Sequence, residues 1–105
     1  MPHEPGREVD TQASEEREVA AVLDTFFAAF ATGPDLDERV EALRRVMHPR
    51  ATVVRLCGEA PTVLGVDEFV APRHSLLASG RFAAFREWRD GGLVEVAGDI
   101  ASWWG

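Results

Sequence analysis

Arg55 is a charged residue in an otherwise apolar, β-branched stretch, ATVVRLC. A strand's period of two puts Val53, Arg55 and Cys57 on one face. A guanidinium that points into a core or a pocket needs a carboxylate partner, and the candidates are Glu87 and Asp99. Such an arginine clamps an anionic ligand or polarises a carbonyl or an epoxide. The alternative is a salt bridge or an extended side chain at the rim of a sheet, and the sequence leaves both open.

The other reactive residue types are few and scattered. The chain has one cysteine and three histidines, without the HxxxH or CxxC spacing of metal ligands. No glycine-rich phosphate loop follows a strand. The absence of tyrosine removes the phenol as an oxyanion donor or proton relay. The sequence therefore predicts no metal, no cofactor and no assigned catalytic residue, and it leaves open whether the protein is an enzyme.

Charge and composition exclude several classes of partner. With 18 acidic and 11 basic residues the chain carries a formal charge of −7, which argues against nucleic acid and against anionic membrane surfaces. No apolar run is long enough to span a bilayer, and the first residues do not have the pattern of a signal peptide. Cys57 is the only cysteine, which suits a reducing compartment. We expect a cytoplasmic protein.

Two helices are expected in the first half of the chain. Residues 1–13 are predicted to be a flexible polar tail, followed by a single domain over 14–105. Ser14 is the expected N-cap of the first helix, and Gly33 is its expected left-handed end. The second helix is predicted to begin after Asp35, with Glu38 completing a capping box, and its apolar stripe is formed by Leu36, Val40, Leu43 and Met47. One apolar face of the first helix is formed by Val19, Val22, Leu23, Phe26 and Phe30.

The remainder alternates between strand and helix patterns. Ala51 to Cys57 and Thr62 to Leu64 are predicted to be paired strands. Val66, Phe69, Val70, Leu76 and Leu77 predict a third helical region that Pro72 splits in two and Ser79-Gly80 ends. Arg81 to Arg89 alternates as a strand, with Phe85 and Glu87 on one face. Strands are also predicted over Leu93 to Val96 and over Ile100 to Trp104, with a turn at Gly98-Asp99 between them.

This order of elements resembles the NTF2-like family, which includes ketosteroid-isomerase-like and SnoaL-like proteins. The stretches that carry the likeness are FFAAFATG, HPRATVV, VLGVDEFV, FREW and GDIA, and together they cover about residues 15–104. The resemblance implies an α+β cone, in which three helical regions pack on a curved, mainly antiparallel sheet. It also implies a small-molecule pocket and a homodimer that forms through the sheet.

The resemblance argues against isomerase chemistry and suggests ligand residues. The isomerase's catalytic aspartate corresponds to the position at or beside Arg55, and its tyrosine to the position near Phe26, so neither group is present. We therefore expect an apolar small molecule to bind in the cone. The alternatives are a dimerising interaction module without catalysis, or a hydrolase, dehydratase or cyclase centred on Arg55 and a carboxylate. The expected ligand-binding residues are Phe26, Phe30, Val53, Arg55, Cys57, Phe69, Arg73 and Glu87.

The end of the chain is shorter than the family pattern. In that pattern the strand corresponding to Ile100 to Trp104 continues and two more strands follow, so about 20–30 residues are missing. An open sheet edge that ends in Trp103 and Trp104 would be prone to associate with other chains unless it were covered. We expect a C-terminally truncated version of the module, and the alternative is that a second chain supplies the missing pairing.

Overall fold

The computed structural model describes residues 5–58 and 60–105, with side chains described from residue 11 onward. Its strands form two antiparallel two-stranded sheets. Helices and antiparallel strands together confirm the predicted α+β class. The described elements, in chain order, are α1 (Pro5–Ala28), α2 (Leu36–Val46), β1 (Val53–Arg55), β2 (Thr62–Leu64), α3 (Val66–Ala78), β3 (Leu93–Ala97) and β4 (Ile100–Trp104).

The chain divides into two compact units. The central unit is Thr25–Glu87, and the terminal unit comprises the residues up to Asp24 together with Trp88–Gly105. α1 passes from the terminal unit into the central unit at its last turn. The prediction of a single domain over residues 14–105 stays a prediction.

Helix α1 begins earlier than the sequence predicted. It begins at Pro5, so residues 5–13, which were assigned to the flexible tail, are helical, and Ser14 lies inside the helix. Proline suits the first helical position because the N–H it lacks has no partner there in any case. Residues 1–4, the rest of the predicted tail, lie outside the described residues.

Helix α2 begins where predicted, but its N-terminus does not make the predicted capping hydrogen bonds. Asp35 occupies the N-cap position, yet its side chain makes no capping hydrogen bond, so the predicted capping box with Glu38 is wrong. The Nη2 atom of Arg39 instead donates to the carbonyl oxygens of Ala31 (3.0 Å) and Thr32 (3.3 Å). Arg39 therefore ties the turn that follows α1 to the first turns of α2.

The core of the central unit lies between its helices. Leu43 and Val70, on facing helices α2 and α3, are almost completely buried. The apolar stripe predicted for α2 supplies three of the buried side chains, as its helical spacing implies. The buried core residues are Ala29, Phe30, Leu36, Val40, Leu43, Phe69, Val70 and Leu77.

Pro72 does not split α3, contrary to the sequence prediction. The helix runs without interruption from Val66 to Ala78 with Pro72 inside it. A proline inside a helix removes one backbone hydrogen bond and costs about 3 kcal/mol. Phe69, Val70 and Leu77 are buried on both sides of it, and burying side chains of this size contributes about 1.5–3 kcal/mol each. Packing against the core therefore outweighs the defect.

Strands β1 and β2 form a short hairpin on the central unit. β2 has the predicted bounds, whereas β1 covers only part of the predicted strand from Ala51 to Cys57. Val53 pairs with Leu64, and both pack against the core. Val54 and Val63, which pair on the opposite face, are exposed.

The predicted strand from Arg81 to Arg89 is not formed. The described structure has one isolated antiparallel bridge there, between Arg86 and Ala31. A strand requires a partner along its length, and this segment has only the short turn after α1 beside it. The period-two alternation of its sequence was therefore misleading.

The β3–β4 hairpin in the terminal unit confirms the predicted strands and turn. Ala97 pairs with Ile100 across the two-residue turn Gly98-Asp99. Gly98 has φ of 59°, the positive value that tight hairpin turns need at their first central residue. One face of this hairpin carries exposed Leu93, Ile100 and Trp104.

Candidate functional site

A cavity rich in phenylalanine lies within the central unit, and we call it the phenylalanine cavity. Its volume is about 380 Å³. The floor is buried, whereas Leu76 and Phe82 at the rim are about two-fifths exposed. The lining residues are Phe26, Phe30, Phe69, Arg73, Leu76, Leu77, Phe82, Phe85 and Glu87.

The phenylalanine rings pack against one another in two groups. Phe26 stacks on Phe69 with ring centroids 6.1 Å apart, and Phe30 meets both rings edge to face at 5.2 and 5.7 Å. Phe82 and Phe85 form the second group, with centroids 5.5 Å apart. These spacings are those of favourable aromatic pairs, so the wall of the cavity is a set of mutually supporting rings.

Main-chain bonds join two parts of the cavity wall. The N–H of Thr32 donates to the carbonyl oxygen of Phe85, and the N–H of Phe85 donates to the Thr32 hydroxyl, both at 2.9 Å. The N–H of Glu87 donates to the carbonyl oxygen of Phe30 at 3.0 Å. These bonds flank the Ala31–Arg86 bridge. The turn after α1 therefore positions Phe85 and Glu87 on the cavity, although no strand is present.

Arg73 is the basic residue of the lining. Its guanidinium carbon lies 4.0 Å from the centroid of the Phe69 ring, within the range of a cation–π interaction. Its Nη1 donates to the Phe69 carbonyl oxygen, one turn back along α3, at 2.8 Å. Among the side chains that the structure describes, no carboxylate lies within ion-pair distance of Arg73. Arg73 is thus fixed over an aromatic ring with its charge available.

The structure places the eight predicted ligand residues in two groups. Val53 packs against the core instead of lining the cavity. Arg55 and Cys57 are exposed and lie outside the lining. Five residues come together in the cavity lining, namely Phe26, Phe30, Phe69, Arg73 and Glu87. Ligand binding by these five stays a prediction.

Of the two alternatives for Arg55, the structure has the side chain exposed and not facing a core or a pocket; ligand binding by Arg55 stays a prediction. β1 ends at Arg55, and its cross-strand partner is Thr62, at the end of the hairpin next to the connecting loop, where the Arg55 side chain is exposed. Arg55 makes no ion pair among the described residues, and the proposed partner Glu87 lines the cavity instead. The strand pattern gave the correct face for Val53 but not how far the core extends along that face.

Four cavity residues were missed by the sequence reasoning. Leu76 and Leu77 were assigned to a helix without a ligand role, and Phe82 and Phe85 were placed on opposite faces of a strand. The signal that would have found the pair is their separation by three positions in FAAF, which in a turn-like backbone brings two rings to the same side. The observed ring contact is of this kind.

Other polar groups of the central unit connect helices. His74 on α3 contacts the Asp37 carboxylate on α2 at 2.7 Å, and Arg44 on α2 bonds to Asp67 on α3. Both aspartates are largely exposed, so each pair contributes about 1 kcal/mol or less. Among the described residues no group of histidine, cysteine, aspartate and glutamate side chains could hold a metal ion. None of the described helices is long and apolar enough to cross a bilayer.

Comparisons of the chain with protein-family models, with curated proteins and with solved structures find no match. The site therefore has to be interpreted from its own geometry.

Proposed function

We propose that this chain is a binding protein for a small, largely apolar molecule, which occupies the phenylalanine cavity of the central unit. The observation that carries the proposal is an open volume of about 380 Å³ lined by five phenylalanines and two leucines. Ligand pockets are mostly apolar concavities of about 300–1,000 Å³, so the volume lies at the small end of that range. Leu76 and Phe82 at the rim are apolar side chains that a ligand would remove from water.

Binding without catalysis is the form of this proposal that the site supports. Arg73 and Glu87 are the charged residues of the lining, and they form no ion pair with each other. An acid and a base held near a common reacting atom are the usual requirement for general acid–base chemistry. The enzyme alternative depended on Arg55, which is exposed and outside the cavity.

We also propose that the chain is an NTF2-like protein of the cytoplasm. Support for the family comes from the order of the elements, in which two helices precede a hairpin, a third helix and further antiparallel strands. The family's cone remains part of this proposal. Support for the cytoplasm comes from the single cysteine, Cys57, which allows no intramolecular disulfide.

A neutral fluorescent probe, 1-aminoanthracene, tests the binding proposal. We expect it to bind the purified chain with a stoichiometry of one, and we expect Leu76→Gln to weaken binding about 10-fold, because an apolar contact in the lining is replaced by an amide. The matched control is Val54→Gln on β1, which is similarly exposed but outside the lining. The proposal fails if the probe does not bind, or if both substitutions have the same effect.

A dimerising module is the second candidate, and a separate observation favours it. Leu93, Ile100 and Trp104 lie on one face of the β3–β4 hairpin with 56%, 71% and 68% of their surface exposed. Aromatic and aliphatic side chains grouped in this way are typical of an interface core. The occupant we propose is the same face of a second copy, which gives a symmetric dimer.

Sedimentation velocity tests the dimer. We expect Ile100→Lys to convert a dimer to a monomer, because it replaces an exposed apolar side chain of the proposed interface with a charge. Val63→Lys is the control, since Val63 is 63% exposed on the other hairpin, in the central unit. A wild-type chain that sediments as a monomer at high concentration would exclude this function.

A further inference from the structure

Arg73 offers hydrogen-bond donors to the phenylalanine cavity that the protein does not use. The described structure shows one bond from its guanidinium, the bond of Nη1 to the Phe69 carbonyl oxygen. The other guanidinium nitrogens are not buried without a partner, so water reaches them in the unliganded protein. A guanidinium presents its donors in a planar fork that matches a carboxylate. The Phe69 ring beneath the fork limits how far it can turn away.

The charges around Arg73 decide whether an anionic or a cationic ligand is favoured. Glu87 lines the same cavity, but it is exposed, so water screens its charge more effectively than that of the partly buried arginine. The chain's net charge of −7 is spread over the sequence, and charges more than about 8 Å away are largely screened at physiological salt. Of the two charges in the lining, that of Arg73 is therefore the less screened, and an anionic group is favoured over a cationic one.

The volume limits the size of the molecule. At about 380 Å³ the cavity suits a small molecule. Five aromatic rings in the lining leave little polar surface for a ligand with several charged groups. A ligand that fits has one polar end and a single apolar body.

We propose that the ligand is an amphipathic monocarboxylate, whose carboxylate pairs with Arg73 and whose acyl or aryl part fills the phenylalanine cavity. This inference rests on the proposed function and adds the ligand's chemical class. The pairing exchanges the water on the guanidinium for a charge-assisted hydrogen bond, which is stronger than a neutral one. The remaining apolar atoms of the ligand contact Phe26, Phe30, Phe82 and Phe85 in place of water.

Isothermal titration of the full chain with matched amphiphiles tests the class. Decanoate, 1-decanol and decylammonium share an alkyl body and differ in the sign of the end group. 4-Phenylbutyrate and 4-phenylbutanol repeat the comparison with an aryl body. The two series together distinguish a fatty acid from an aryl acid as the source of the carboxylate. We expect one or both carboxylates to bind about 10- to 100-fold more tightly than the matched alcohol, the range for a hydrogen bond to a charged group.

Two substitutions test whether Arg73 causes the preference for a carboxylate over an alcohol. Arg73→Met keeps a long apolar side chain and removes the charge, so we expect the carboxylate to bind no better than the alcohol. Arg45→Met is the control, because the Arg45 side chain also donates to a carbonyl oxygen one turn back along its own helix, that of Glu41, but lies outside the cavity lining. It should leave the preference intact.

The outcomes separate this inference from the proposed function. Equal binding of carboxylate and alcohol, tightest binding of decylammonium, or a preference that survives Arg73→Met would overturn the monocarboxylate while leaving an apolar binding site. If none of the amphiphiles binds, the proposed function itself is overturned.

Discussion

The Thr32 hydroxyl is the side-chain contact that holds the phenylalanine cavity together, and Thr32→Val tests this role. Valine has nearly the same shape and keeps the backbone bond from residue 32 to the Phe85 carbonyl oxygen. It removes the hydroxyl that accepts the Phe85 N–H at 2.9 Å. The substitution therefore leaves the Phe85 N–H without its partner, and it also removes the longer bond, at 3.4 Å, that the hydroxyl donates to the Phe85 carbonyl oxygen.

The expected loss is about 1 kcal/mol in the free energy of unfolding. A buried donor without its partner costs about 1–3 kcal/mol, and the lower half of that range applies because the Thr32–Phe85 contact is only partly buried. The methyl group that valine adds returns about 0.4 kcal/mol, half the value for a fully buried methylene group. Thr32→Ser removes a methyl group and keeps the hydroxyl, so it should cost only about 0.4 kcal/mol.

Amide hydrogen exchange gives the sharper readout. We expect the Phe85 amide to exchange at least about 5-fold faster in Thr32→Val, which corresponds to about 1 kcal/mol. The Glu87 amide, bonded to the Phe30 carbonyl oxygen, should change less and serves as the internal reference. Urea denaturation followed by far-UV circular dichroism gives the global stability. Equal protection of Phe85 in the valine and serine variants would show that the hydroxyl does not hold this segment.

Three further substitutions test the packing and the backbone. Leu43→Ala removes a side chain with no exposed surface and should lower the free energy of unfolding by about 2–5 kcal/mol. Leu56→Ala is the control, because this side chain is 73% exposed, and it should change the free energy of unfolding by less than about 0.5 kcal/mol. Similar losses for the two variants in urea denaturation would contradict the assignment of the core. Pro72→Ala should raise the melting temperature, because it restores a backbone bond worth part of the roughly 3 kcal/mol penalty of proline within α3, and a lower melting temperature would show that α3 depends on the proline. Gly92→Ala should destabilise the terminal unit more than Gly91→Ala. Both glycines have positive φ, but of the two only Gly92 would place a Cβ against the neighbouring tryptophan residues of β4. Tryptophan emission during urea denaturation measures the stability of the two variants, and equal losses would contradict the packing of β4.

Sequence reasoning was most accurate where a local rule and the tertiary structure agreed. The bounds of β2, the start of α2 and the Gly98-Asp99 turn follow from residue types at single positions, and the structure has all three. The apolar stripe that includes Leu43 was also sufficient to place α2 on the core. Three of the five cavity residues named are aromatic side chains on the predicted apolar faces of helices, namely Phe26, Phe30 and Phe69. Arg73 was named from the family resemblance, and Glu87 as a possible partner of Arg55.

The errors arose where distant contacts decided the outcome. Pro72 has a poor local preference for the interior of a helix, and only the burial of neighbours such as Phe69 and Val70 explains why the helix continues. The segment from Arg81 to Arg89 has the alternation of a strand, but none of the described strands pairs with it. Arg55 has the pattern of an inward-facing residue, and its exposure depends on where β1 ends. None of these contacts can be derived from neighbouring positions in the sequence.

The aromatic residues are divided between the two units by type, which has a spectroscopic consequence. All six phenylalanines lie within Thr25–Glu87, all three tryptophans lie within Trp88–Gly105, and the chain has no tyrosine. Selective excitation of tryptophan therefore reports on the terminal unit alone, whereas circular dichroism also detects α2 and α3 of the central unit. Coincident unfolding curves from the two signals would mean that α1, which extends through both units, transmits unfolding from one to the other. Separate curves would give each unit its own stability, measured in a single unlabelled sample.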